Sequence, residues 1–90
     1  MQEHRRHNRV DSDEKCILNF SGWYYQATVK NISSGGALLH PNDPLPELHV
    51  GDDCNVNMKR KSLRDHPCKV ARVETSHVAL KFTGGRIKIK

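Results

Sequence analysis

Apolar residues recur at every second position in short runs, and no stretch of ten or more residues keeps a helical period. That pattern limits the chain to strands. Trp23–Ile32 is the clearest run: Trp23, Tyr25, Ala27 and Val29 share one face, and Tyr24, Gln26, Thr28 and Lys30 the other. Lys15–Phe20 puts Cys16, Leu18 and Phe20 on one face, and Cys54, Val56 and Met58 alternate with Asn55 and Asn57. Ala37–His40, Lys69–Thr75 and His77–Thr83 read as further strands, with Arg86–Lys90 as a short edge strand. Turn residues separate the runs at Ser21-Gly22, Ser33–Gly36, Gly51-Asp52 and Gly84-Gly85. Pro41, Pro44 and Pro46 make residues 41–50 a surface loop, and Lys59–Pro67 reads as a basic polar turn region. About six short strands at this spacing imply an all-β barrel or sandwich. Its core is expected from Leu18, Phe20, Val29, Leu39, Val56, Val70, Val73, Val78, Leu80 and Phe82.

Ninety residues make one small domain, with little room for a separate catalytic subdomain. Residues 1–14 are polar and of mixed charge, and we read them as a flexible arm ahead of a barrel domain over residues 15–90. The net charge of +5 favours anionic partners. Cys16, Cys54 and Cys68 are odd in number and widely spaced, which fits reduced thiols buried as small apolar residues rather than a disulfide framework. No signal-peptide pattern opens the chain and no apolar run reaches membrane-spanning length, so the expected location is the cytoplasm, without membrane insertion. The six histidines show no metal-ligand spacing, and P-loop, G-x-G-x-x-G and G-x-S-x-G motifs are absent from the sequence. Ser33 has no identifiable base as a nucleophile, so neither an enzyme nor a metal or cofactor protein is expected.

Two short motifs carry chemistry. Arg5-Arg6-His7-Asn8-Arg9 has the form R-x-x-x-R. A guanidinium can hold a phosphate in two bonds, edge-bond the O6/N7 side of guanine, or stack on a base. The plainer reading of this segment is a solubilising tail. Asn31-Ile32-Ser33-Ser34-Gly35-Gly36 has the form [D/N]-x-S-x-x-G. Here Asn31 can hydrogen-bond a base edge, the Ser33 hydroxyl can donate to phosphate or base, and Gly36 can let a ligand approach the backbone. The plainer reading is a turn. A second R-x-x-x-R, Arg60 to Arg64, falls between two strand-like runs and reads as a solvated loop.

In this order, with the first motif ahead of the first long strand, the chain resembles the PilZ family of bacterial cyclic di-GMP receptors. The resemblance extends over Arg9-Val10, Val29–Ser33, Gly36–Leu39, Val50–Asp52 and His77–Phe82. Asn31 stands where many members carry Asp. The resemblance implies a small six-stranded PilZ-like β-barrel with a basic N-terminal arm. It implies a receptor that binds cyclic di-GMP through Arg5, Arg9, Asn31, Ser33 and Gly36, with Arg6 assisting, and passes that state to an unidentified protein partner. Two alternatives stand beside it. One is a single-stranded nucleic-acid binder using Trp23, Tyr24 or Tyr25 with the basic Lys59–Arg64 segment. The other is a PilZ-like interaction module without ligand.

Overall fold

The computed structural model describes residues 10–85. Seven strands occur in order: β1 (Val10–Asp11), β2 (Lys15–Phe20), β3 (Trp23–Ser33), β4 (Gly36–Pro41), β5 (Asp53–Met58), β6 (Leu63–Val73) and β7 (Val78–Phe82), with one 3-10 turn at Lys59–Lys61. All pairings are antiparallel. Six strands close a barrel in the order β3-β2-β5-β6-β7-β4, and the β3–β4 pairing seals it. The six-stranded all-β barrel read from the sequence is the fold observed.

Closure follows from the length of β3. Its first part pairs with β2, from Phe20↔Trp23 to Lys15↔Thr28. Its last residues outrun β2, and β1 takes that edge through Val10↔Ile32 and Asp11↔Asn31. Between these ladders Ser12 N donates to Lys30 O and Val29 N to Glu14 O. Among the described residues the sheet starts at Val10, so residues 10–14 of the segment read as an arm are hydrogen-bonded to β3. Residues 1–9 and 86–90 lie outside the described residues, including the edge strand expected at Arg86–Lys90.

The core contains Leu18, Val29, Leu39, Val56, Val70, Val78, Leu80 and Phe82, as expected. Phe20 packs against it half-buried. Val73 departs from expectation, being 46% exposed. It shares a face with buried Val78, its cross-strand partner. It ends β6 at the open rim, however, and few neighbours cover it there. Ile32, Met58, Ala27, Ala37, Leu48 and all three cysteines complete the interior.

The basic turn region is also shorter than expected, because β6 begins at Leu63 and runs through Pro67. A proline inside a strand costs a ladder donor unless the ladder ends there. Pro67 lies just past Cys68↔Phe82, the last β6–β7 pair, and its carbonyl accepts from Thr83 N and Gly84 N.

Core and rim positions should respond differently to truncation. Leu39→Ala should lower unfolding free energy by about 2–5 kcal/mol, whereas Val73→Ala should cost about 0.5 kcal/mol or less. Urea denaturation of both variants checks this ranking, and a large loss at Val73 would contradict the rim assignment.

Candidate functional site

The Asn31–Gly36 turn joins β3 to β4 at one end of the barrel. Strict alternation would point Asn31 inward, on the face of Val29. A bulge between Val29 and Asn31 prevents this. Val29 pairs with Leu39, Asn31 with Leu38, and Ile32 with Ala37, so Lys30 and Asn31 both face outward and Ile32 enters the core. Bulges commonly re-aim a side chain in this way. Among the described residues the Asn31 side chain makes no hydrogen bond.

Asn31 opens onto a groove of about 270 Å³ on the outer face of β3, β4, β7 and β6. The small residues Gly36, Ala71 and Ala79 line it beside Leu38. Arg72 and Lys81 stand on its far side, and none of its lining residues is acidic. Arg72 is paired with Glu74. Lys81 lies directly opposite Lys69 in the β6–β7 ladder. Lys69 bonds Asp53 at 2.7 Å, while Lys81 makes no ion pair among the described residues. Like charges across a ladder are unfavourable, and a bound anion would relieve that. Arg72 and Lys81 were missed in the sequence because they belong to no motif. The register across four strands is what gathers them.

The structure changes the physical reading of two motif residues. The Ser33 hydroxyl accepts from Gly35 N at 3.3 Å and donates to Gly36 O at 3.4 Å, within its own turn. Its proton is therefore directed inward, and one acceptor lone pair remains for a ligand donor. Gly36 is required by space: a Cβ there would lie 2.3 Å from the Leu80 carbonyl oxygen of β7. The close approach is that of a neighbouring strand, which packs at the groove floor.

Arg5, Arg6 and Arg9 lie outside the described residues. Val10, bonded to Arg9, pairs with Ile32, which lies between Asn31 and Ser33. The second arginine pair has different surroundings. Arg60 N donates to Glu14 Oε2, and the cavity beside Lys59–Lys61 is shared with Asp11, Asp13 and Glu14. Cations there meet nearby carboxylates, whereas Lys81 of the groove makes no ion pair among the described residues.

Of the aromatic cluster, Trp23 and Tyr24 are 70% and 67% exposed, while Tyr25 packs on the core. They sit at the β2–β3 hairpin tip, one full strand length from the end that carries Lys59–Arg64, about 17 Å away. They do not form one continuous patch with that basic segment.

The family model for the PilZ domain matches residues 3–89. That range spans the Arg5–Arg9 segment as well as the Asn31–Gly36 turn. No curated protein matches the chain.

Gly36→Ala should lower stability by roughly 1–3 kcal/mol, as overpacking against β7 forces a backbone shift. Asn31→Ala should change stability by about 0.5 kcal/mol or less, because its side chain is half-buried on the outer face and lies outside the core. Thermal or urea unfolding of the two variants measures the contrast.

Proposed function

The chain belongs to the PilZ domain family, and from that membership we propose that it is a receptor for cyclic di-GMP that signals to a protein partner. One observation supports the reading above the rest. The β1–β3 pairing runs Val10 and Asp11, the residues that follow Arg9 in the chain, alongside Ile32 and Asn31 of the second motif.

In this reading Arg5 and Arg9 hold the phosphates and stack on or edge-bond the guanines, with Arg6 assisting. Asn31 takes a base edge. Ser33 offers its remaining acceptor to a base N–H. Gly36 keeps the groove floor close to the β7 backbone. Lys81 and Arg72 supply positive charge at the far wall. The chain binds and performs no chemistry. Among the described residues no helix is long and apolar enough to cross a membrane.

The mechanism we propose is an order–disorder switch. Residues 1–9 contain no apolar side chain beyond Met1, too little to offset the ordering entropy of a free segment. Cyclic di-GMP bridges the arm to the Asn31–Gly36 turn, and the closed arm presents a new surface to the partner.

Isothermal titration with cyclic di-GMP, using GMP and a short oligonucleotide as controls, tests the ligand. Arg5→Ala or Arg9→Ala should weaken binding about ten- to a hundredfold, the loss of one charge-assisted bond of roughly 1.5–3 kcal/mol. Thermal midpoints should hardly move. Arg60→Ala and Arg64→Ala should do much less. Equal losses at both pairs would point to diffuse nucleic-acid binding, and full binding by the Arg5/Arg9 double variant would remove the site assignment. A chain starting at Asp11 should keep its barrel and lose the ligand.

NMR relaxation tests the switch separately. The amides of residues 4–9 should move on the picosecond–nanosecond scale without ligand and become rigid with it. Equal rigidity in both states would mean a preorganised arm.

A further inference from the structure

We propose that Cys54 and Cys68 form an oxidisable dithiol inside the barrel, which a small peroxide converts to a cross-strand disulfide while Cys16 stays reduced. The ligand groove lies on the outer face, so this pair is independent of the binding site.

Cys54 and Cys68 are direct Cα partners in the β5–β6 ladder and therefore share the inner face. Both are free thiols, with their Sγ atoms 3.3 Å apart. Directly opposed residues of an antiparallel ladder have Cα separations of about 4.5–5.5 Å. A disulfide spans about 4.4–6.8 Å, so closing this one needs little backbone movement. Cys16 is buried opposite Ala27 of β3, not opposite a thiol; its influence on Cys68 is the smallest of those raising that thiol's pKa, after the Cys54 hydrogen bond, burial and the Cys54 charge.

The two thiols are not equivalent. The hydrogen bond from Cys68 lowers the pKa of Cys54. The same bond, and then burial, raise that of Cys68. Burial, and then the charge of Glu14, push Cys16 up to about 12. Cys54 sits one residue into β5, beyond the Gly51 turn, and is 7% exposed against 1% for Cys68. That access, in line with the direction of the shifts, makes Cys54 the nucleophile and Cys68 the resolving thiol. Such narrow access selects an oxidant of a few atoms.

The chemistry balances with hydrogen peroxide. The Cys54 thiolate attacks one peroxide oxygen, an S–O bond forms, the O–O bond breaks, and hydroxide leaves to become water. The product is a sulfenic acid. Cys68 sulfur then attacks the Cys54 sulfur, the S–S bond forms, the S–O bond breaks, and the second hydroxide leaves with the Cys68 proton as water. Two thiols are oxidised and one peroxide is reduced.

The test treats the folded, reduced chain with hydrogen peroxide and follows thiols and mass. Each chain should lose two thiols and two hydrogen atoms. A digest should yield a peptide linking Cys54 to Cys68, and Cys16 should still alkylate after unfolding. Dithiothreitol should reverse the change, and Cys16→Ser should behave as the wild type. In Cys68→Ser, dimedone should trap a sulfenic acid on Cys54. The oxidised wild type should melt at a higher temperature than the reduced one, since the loop from 54 to 68 is closed. A link through Cys16, dimers joined by disulfides, or thiol loss only in denaturant would each overturn the proposal. If Cys68→Ser fails to fold, as judged by circular dichroism, the wild-type link map decides alone.

Discussion

One inserted residue in β3 governs how this barrel carries a site. The bulge between Val29 and Asn31 reverses the facing of everything after it. Ile32 becomes a core residue and Asn31 a surface one. Without the insertion the last turn of β3 would bury an asparagine amide and expose an isoleucine, which reverses both preferences. Core and site thus depend on one local irregularity.

This device also explains what could be read in the sequence. Alternation identified β2, β4, β5 and β7 because each is short and nearly regular. It placed Tyr25, Ala27 and Val29 correctly as well, up to the bulge, but Trp23, given the same face, is exposed at the hairpin tip. Period-two reasoning cannot see where a residue is inserted, and one slip changes every later side chain. It therefore gave no face to Ile32. The start of β6 was hidden by Pro67 and by polar residues from Arg64 to His66, which read as loop. Val73 kept its expected face but lay at a rim, and exposure at strand ends is a property of the closed barrel rather than of any local pattern. The motif residues of the turn were legible as types. The hydroxyl commitments of Ser33 and the contact behind Gly36 were not, since both depend on atoms brought in by folding.

Charge distribution separates the groove from the rest of a generally basic surface. Basic residues are spread over the molecule, and several are balanced nearby: Lys30 by Asp13 and Lys69 by Asp53. The Lys59–Lys61 turn is held against Glu14. Net charge alone would thus favour no particular place. What distinguishes the groove is the lack of carboxylates among its lining residues, together with Lys81 facing Lys69 across the ladder. A bound phosphate there would meet attraction without displacing an internal partner, except at Arg72, which would have to loosen from Glu74.

The proposed closure has an energetic requirement that the arginines alone do not meet. Ordering six residues, 4 to 9, costs about 6–12 kcal/mol in backbone entropy. Two charge-assisted contacts at roughly 1.5–3 kcal/mol each do not offset that. The remainder must come from guanidinium stacking on the bases and from groove contacts such as Asn31 and Lys81. Anchoring helps, because β1 fixes the inner end of the arm at Val10↔Ile32. In the proposed receptor this tether would hold the arginines at high effective concentration for the groove. The same residues on a separate peptide would carry the ordering cost without that advantage. In the proposed receptor, the pairing of β1 with β3 would be the step that makes a short basic segment part of the binding site.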